Sequence, residues 1–188
     1  MKGGLLIVGI VVIVALVFSG QLMGSRNQLV TEKNDIDARW AQVENSMKRR
    51  ADLIPNLVET VKGYAKQEQT VIGEVANARA ALLGARTKDD AINANNQLSG
   101  ALGRLLVLTE NYPQLKSNEN FLRLQDELAG TENRIAVDRR DYNEAIKKYN
   151  TDVQLFPRNI AAAIFGFHPD NAYFKITEEE KKVPQVKF

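Results

Sequence analysis

The chain opens on an uninterrupted apolar run. From Gly3 to Met23 it reads GGLLIVGIVVIVALVFSGQLM, without a charged side chain. A bilayer core crossed by a helix takes about 20 such residues, and a charge at its centre would cost about 2.5–3.5 kcal/mol on insertion scales. The pattern predicts a transmembrane anchor over residues 1–24, with Leu5, Ile10, Ile13, Leu16 and Phe18 among its membrane-spanning side chains. A cleaved signal peptide and a buried core helix are the competing readings. A signal h-region runs only about 7–15 residues and ends at a small-residue cleavage site. This run is longer, and Ser19 to Ser25 match such a site poorly, so a retained anchor is favoured. A lipoprotein is excluded, because no cysteine is present to acylate.

Beyond the anchor the period changes to that of amphipathic helices. Ile36, Trp40, Val43, Met47, Ile54, Val58, Val61, Ala65, Ile72, Val75 and Leu82 recur at steps near three, four and seven, a helix face of period about 3.5. Pro55 is the one punctuation mark in this run. Asp52 caps a new helix there if the chain turns, since proline is comfortable in a first turn. Otherwise one long helix continues through a kink, which the unbroken apolar phase favours. A turn at Pro55 would give four up-down helices and return the C-terminal tail towards the membrane, whereas a continuous helix would carry the tail away. Gly84 to Thr87 end the run, and Thr87 or Lys88-Asp89-Asp90 opens a helix with Ala91, Leu98, Ala101, Leu102, Leu105 and Leu108 inward. After Asn111-Tyr112-Pro113, Ser117 begins the last long helix, with Phe121, Leu124, Leu128, Ile135, Tyr142, Ile146, Tyr149 and Val153 on one face. Leu155-Phe156-Pro157 closes it. No strand signal precedes the tail. The fold class is all-α: a transmembrane helix followed by an antiparallel long-helix bundle over 25–156, then an apolar, aromatic tail over 157–188. The tail segment from Asn159 to Phe167 is too short to span a bilayer. It either packs back within the chain or its oligomer, or docks on membrane or partner.

Composition narrows the chemistry. The formal net charge is +2, which removes the electrostatic argument for a nucleic-acid partner. Without cysteine there are no disulfides, thiolate metal sites or cysteine nucleophiles. His168 is the only histidine, so no His-His metal pair or Ser-His-Asp triad can be built; a surface or capping role is its default. Gly100 to Arg104 follow no strand and lack a P-loop lysine. Asp89-Asp90 suits a helix start, and Glu178-Glu179-Glu180 belongs to a mixed charged run. No catalytic, cofactor-binding or metal residue is assigned, and no cofactor is expected. Arg49 and Arg50 stand out: beside Asp52, they are placed to pair with carboxylates of a facing helix such as Glu127 or Glu132, fixing register. Candidate interaction residues are therefore Trp40, Arg49, Arg50, Asp52 and Pro55, together with Phe165, Phe167, Tyr173 and Phe174 of the tail.

Three stretches then carry a likeness: WAQVENSMKRRADLIPNLVETVKGY from Trp40 to Tyr64, ENYPQL from Glu110 to Leu115, and NFLRLQDELAGTENRIAVDRRDYNEAIKKYN from Asn120 to Asn150. They resemble the LemA family of bacterial membrane proteins, and the likeness runs on through Phe156-Pro157, Gly166-Phe167 and Tyr173-Phe174 to Pro184 to Phe188. Ser25 to Leu29 depart from it, since many relatives carry a tyrosine before the asparagine. The resemblance implies one N-terminal anchor in the inner membrane and a helical bundle outside the cytoplasm. Local charge leans the other way, with Lys2 before the span and Arg26, Lys33 and Arg39 after it, but long domains translocate largely regardless of charge. The resemblance brings no catalytic residue. The expectation is a non-enzymatic scaffold with the lipid bilayer and further copies of itself as partners, organising or remodelling the membrane. The alternative is an adaptor of a membrane enzyme such as an envelope-stress protease.

Overall fold

The computed structural model describes residues 2–174, apart from the side chains of Lys2 and Leu5. It contains α1 (Lys2–Tyr64), α2 (Gln69–Leu83), α3 (Lys88–Thr109), α4 (Pro113–Lys116), α5 (Glu119–Gln154) and α6 (Arg158–Phe165). Among the described residues there is no strand. Two compact units share α1 and α5. The first holds the chain up to Trp40 with Asp141–Tyr173, and the second holds Ala41–Arg140 with Phe174.

In the first unit the apolar run is bare helix, with Ile10, Ile13, Leu16 and Phe18 all solvent-facing. It is long and apolar enough to cross a membrane. After it the stripe Leu29, Glu32, Ile36 and Trp40 is buried, as is Tyr142, Ile146, Tyr149 and Val153 on α5. Trp40 and Tyr142 lie with ring centroids 5.3 Å apart. α6 buries Ala161 and Ala162. It closes at Gly166, whose φ of 73° suits a residue without Cβ, and the Phe167 N–H then donates to the Ala162 carbonyl at 2.9 Å.

In the second unit Val43, Met47, Arg50, Ile54, Leu57 and Val61 of α1 form the buried stripe, and Phe121, Leu124, Thr131, Ile135 and Asp138 that of α5. Burying each large aliphatic chain contributes about 1.5–3 kcal/mol. α2 and α3 form a helical hairpin joined across its faces by Arg104 and Glu74 at 2.9 Å. Thr87 caps α3, its hydroxyl accepting from the Asp90 N–H at 3.1 Å.

Helix α1 runs unbroken through Pro55, the second of the two sequence readings, so Asp52 is interior to a helix and caps nothing. A proline here cannot donate to the carbonyl of Ala51, four residues back. Arg79 of α2 donates its Nε–H to that carbonyl instead, at 2.8 Å. The missing backbone bond is thus replaced from a neighbouring helix, which keeps the buried Ala51 carbonyl satisfied.

Two expectations are corrected. The long first helix does not reach Gly84 but ends at Tyr64, and α2 begins at Gln69. Tyr112 donates its hydroxyl to Glu68 at 2.8 Å and Asn118 donates to the Tyr64 hydroxyl at 3.0 Å, holding the turn from both sides. The break went unread because burial resumes in phase: Val61, Ala65 and Ile72 are all buried across it. Within the first unit the described start of the tail lies beside the end of the apolar run, although α1 is continuous at Pro55. Phe165 lies beneath the Arg26 guanidinium, 5.6 Å from ring centroid to Cζ. The last long helix starts at Glu119 rather than Ser117, because the Asn118 side chain accepts from the Phe121 N–H at 3.0 Å after the short turn of α4.

Candidate functional site

The buried stripes of α1 and α5 are interrupted by polar residues, and the interruptions are where specific contacts concentrate. Arg50 is 5% exposed. Its Nη1 sits 2.7 Å from Glu132 Oε2 and donates to Ser99 Oγ at 2.9 Å and Asn95 Oδ1 at 3.3 Å. Burial pulls the guanidinium pKa down and Glu132 pulls it back up; an arginine keeps its proton regardless. Arg50 Nε and Asn95 Nδ2 have no protein partner. A cavity of about 380 Å³ opens beside this cluster, lined largely by Leu57, Leu102, Leu106 and Leu128. Its charges satisfy one another, so the space suits an apolar group more than an ion.

A second, polar groove of about 560 Å³ lies along the same bundle, lined by Gln42, Asn45, Ser46 and Arg49 of α1 and Glu127, Gly130, Thr131 and Arg134 of α5. At its edge the Ser46 hydroxyl donates to Asp138 at 2.6 Å.

In the first unit the interruption is Glu32, 4% exposed. Its Oε1 accepts from Gln28 at 3.2 Å and faces Lys148 at 3.4 Å. Burial raises its pKa above 4.5, and the hydrogen bond and charge of neighbouring Asp152 raise it further. Asp152 in turn pairs with Arg158 at the start of α6. Nearby, Tyr149 donates to the carbonyl of His168 at 3.0 Å, and burial, with the charges of Asp170 and Glu32, raises its pKa.

The sequence candidates divide sharply. Arg50 finds Glu132, one of the two carboxylates anticipated, whereas the neighbouring Arg49 is exposed on the polar groove. Asp52 is a surface residue paired with Lys48 at 3.0 Å, and Pro55 is exposed on α1. Trp40 is core, not surface, which removes it as a direct contact for a partner. Phe165 and Phe167 are half-buried. Tyr173 accepts from Asn150 at 3.1 Å, and buried Phe174 carries the Arg139 guanidinium 4.7 Å over its ring. Leu5 sits on the α1 backbone, and its side chain, like residues 175–188 with Glu178 to Glu180 and Phe188, lies outside the described residues. Sequence reasoning missed Glu32, Asn95, Asp138 and Asn150. A signal for three of them was present: Glu32, Asn95 and Asp138 occupy the apolar phase of their helices. Among the described residues, no group of three or more His, Asp or Glu side chains is placed to hold a metal ion.

Comparison with known proteins shows relatives over most of the chain. The chain is 28% identical over 189 aligned residues to Magnetosome protein MamQ 2 of Paramagnetospirillum magneticum, covering 87% of this chain and 69% of that one. Magnetosome protein MamQ of Magnetospirillum gryphiswaldense is 26% identical over 86% of this chain and 69% of its own. Protein LemA of Metamycoplasma hominis is 23% identical, covering 85% and 73%. The LemA family pattern matches residues 39–188, taking in most of α1 beyond the apolar run and every later helix, and the chain belongs to the LemA family.

Proposed function

We propose that this chain is a membrane-tethered, non-enzymatic scaffold that self-assembles through its helical bundle and thereby organises or remodels the membrane. The observation that carries the reading is on the bundle unit, where Val107, Leu122 and Leu83 are exposed at 73%, 44% and 49% and Leu106 lines an apolar cavity. A contact between copies would cover these apolar side chains. Tethering raises the effective concentration of such faces, so individually weak contacts assemble. Neither Magnetosome protein MamQ nor Protein LemA is named for a catalytic activity, which supports a role without chemistry. The proposed setting is the bacterial inner membrane, with the bundle on the extracytoplasmic side and no cofactor or nucleic acid involved.

The test is the size distribution of the full-length protein in lipid nanodiscs and in detergent. Substituting Val107→Glu and Leu106→Glu together is expected to convert a large species into a small one. A wild-type protein that is already monomeric, or a variant of unchanged size, would sink the proposal. One observation favours the adaptor reading: the polar groove of Arg49, Glu127 and Arg134 is open and chemically distinctive. Photocrosslinkers at Gln42, Asn45 and Arg49 then capture a second membrane protein rather than a further copy.

A further inference from the structure

We infer that the α5–α6 corner, residues 155–165, is a second membrane contact, dipping Leu155, Phe156 and Ile164 into the interfacial layer of the leaflet from which α1 emerges. The inference rests on α1 being a membrane anchor. Three observations carry it, all within the first unit. The first is height. Arg39 faces Asp141 at 3.8 Å, Trp40 packs on Tyr142, and Glu32 faces Lys148. As the number falls along α1 it rises along α5, so the helices are antiparallel and the end of α5 returns towards the apolar run. Gln28, Asp152 and Arg158 line one shallow groove, and Arg26 stacks over Phe165. Arg26 is three residues beyond Met23, about 4.5 Å of helix rise. The interfacial layer is about 5–7 Å deep on each side of the hydrocarbon core, so the corner stands within it.

The second observation is the exposed chemistry. Phe156 is 78% exposed, Ile164 59% and Leu155 58%. α6 turns Ala161 and Ala162 inward. Ile164 on its outer side, with Leu155 and Phe156 just before it, therefore does not serve the protein core, and all three stand at the height where an apolar side chain leaves water for lipid. The third is the arginine. At this level a guanidinium over an aromatic ring keeps its charge at the headgroups while its stem and the ring lie against apolar surface. A lipid surface accounts for all three at once. A second copy of the chain would account for the exposure but not for its coincidence with the end of the span.

Because the chain has no cysteine, single cysteines can be introduced into the full-length protein and labelled with an environment-sensitive fluorophore. The sites are Phe156→Cys and Ile164→Cys at the corner and Phe18→Cys within the span. The protein is reconstituted into phosphatidylcholine–phosphatidylglycerol vesicles carrying spin-labelled lipids with quenchers at shallow or deep acyl positions. Labels at residues 156 and 164 are expected to shift to the blue and lose fluorescence severalfold to the shallow quencher, and the label at 18 to the deep one. Quenching at 18 without quenching at 156 and 164 overturns this inference while leaving the anchor intact. A blue shift at 156 and 164 that lipid quenchers do not touch assigns the corner to a protein contact and also overturns it. Absence of quenching at 18 overturns the anchor itself.

Discussion

The two polar interruptions of α1 solve the same problem in opposite ways. Arg50, in the bundle unit, is buried against a carboxylate, a carboxamide and a hydroxyl, and its charge is matched. Glu32, in the unit that carries the apolar run, is buried beside a second acid, Asp152, with Lys148 as partial compensation and Arg158 paired to Asp152; an unpartnered polar atom remains at both sites, Oε2 of Glu32 here and Nε of Arg50 there. A matched buried charge locks helices in register, since any slip strands it in an apolar seam. A buried acid beside another acid instead makes the packing depend on proton uptake. The bundle unit is thus built for one fixed register. In the first unit the surroundings of Glu32 favour its protonated form.

The comparison can be broken most directly at Arg50. Arg50→Met orphans the buried Asn95 and releases the half-exposed Glu132, and is expected to cost about 2 kcal/mol in denaturant unfolding of the full-length protein in detergent. A loss no larger than that of a surface substitution would refute the register role. Next in size is the bond that replaces the one Pro55 cannot make. Arg79→Met is expected to cost about 1–2 kcal/mol, by orphaning the Ala51 carbonyl. In a Pro55→Ala background, where residue 55 regains its N–H, most of that cost should vanish. Equal costs in the two backgrounds of this double-mutant cycle would show that the Arg79 bond is incidental.

Glu32 sharpens the other side. Its raised pKa means that the folded protein holds this proton more tightly than the unfolded chain. Stability from this group is therefore fully present below pH 4.5 and is lost as pH rises through the raised folded value. Glu32→Gln removes that dependence. The melting-temperature difference, variant minus wild type, should climb with pH above 4.5 and then level off; a flat difference would refute the protonation argument. The smallest effect is expected at Arg49→Ala, within about 0.5 kcal/mol because the side chain is exposed. A larger loss would mean that the two adjacent arginines share one role.

Much of this was legible in the chain. All eleven positions from Ile36 to Leu82 read as one apolar face are buried, as periodicity reports burial directly. The Arg50–Glu132 pair was legible in part: the sequence offered Arg49 and Arg50 against Glu127 or Glu132, and the structure joins Arg50 to Glu132. What escaped was of two kinds. The turn after Tyr64 is held by Tyr112 and Asn118 from more than forty residues away, and no local signal near Ala65 encodes it. Arg79 was also unreadable as the answer to Pro55, since the two meet only because α2 packs on α1.

What the sequence by itself determined is the apolar run, the helical class and the faces that must be buried, because hydrophobic period and charge placement act along a single chain. The tertiary structure alone decided which buried charges are matched, how an interior proline is accommodated, and that the α5–α6 corner comes back to the level of Arg26. Those outcomes depend on the number of helical reversals and on distances between residues remote in sequence. The stacking of Arg26 on Phe165, residues 139 positions apart, is the kind of contact that no period along the chain encodes.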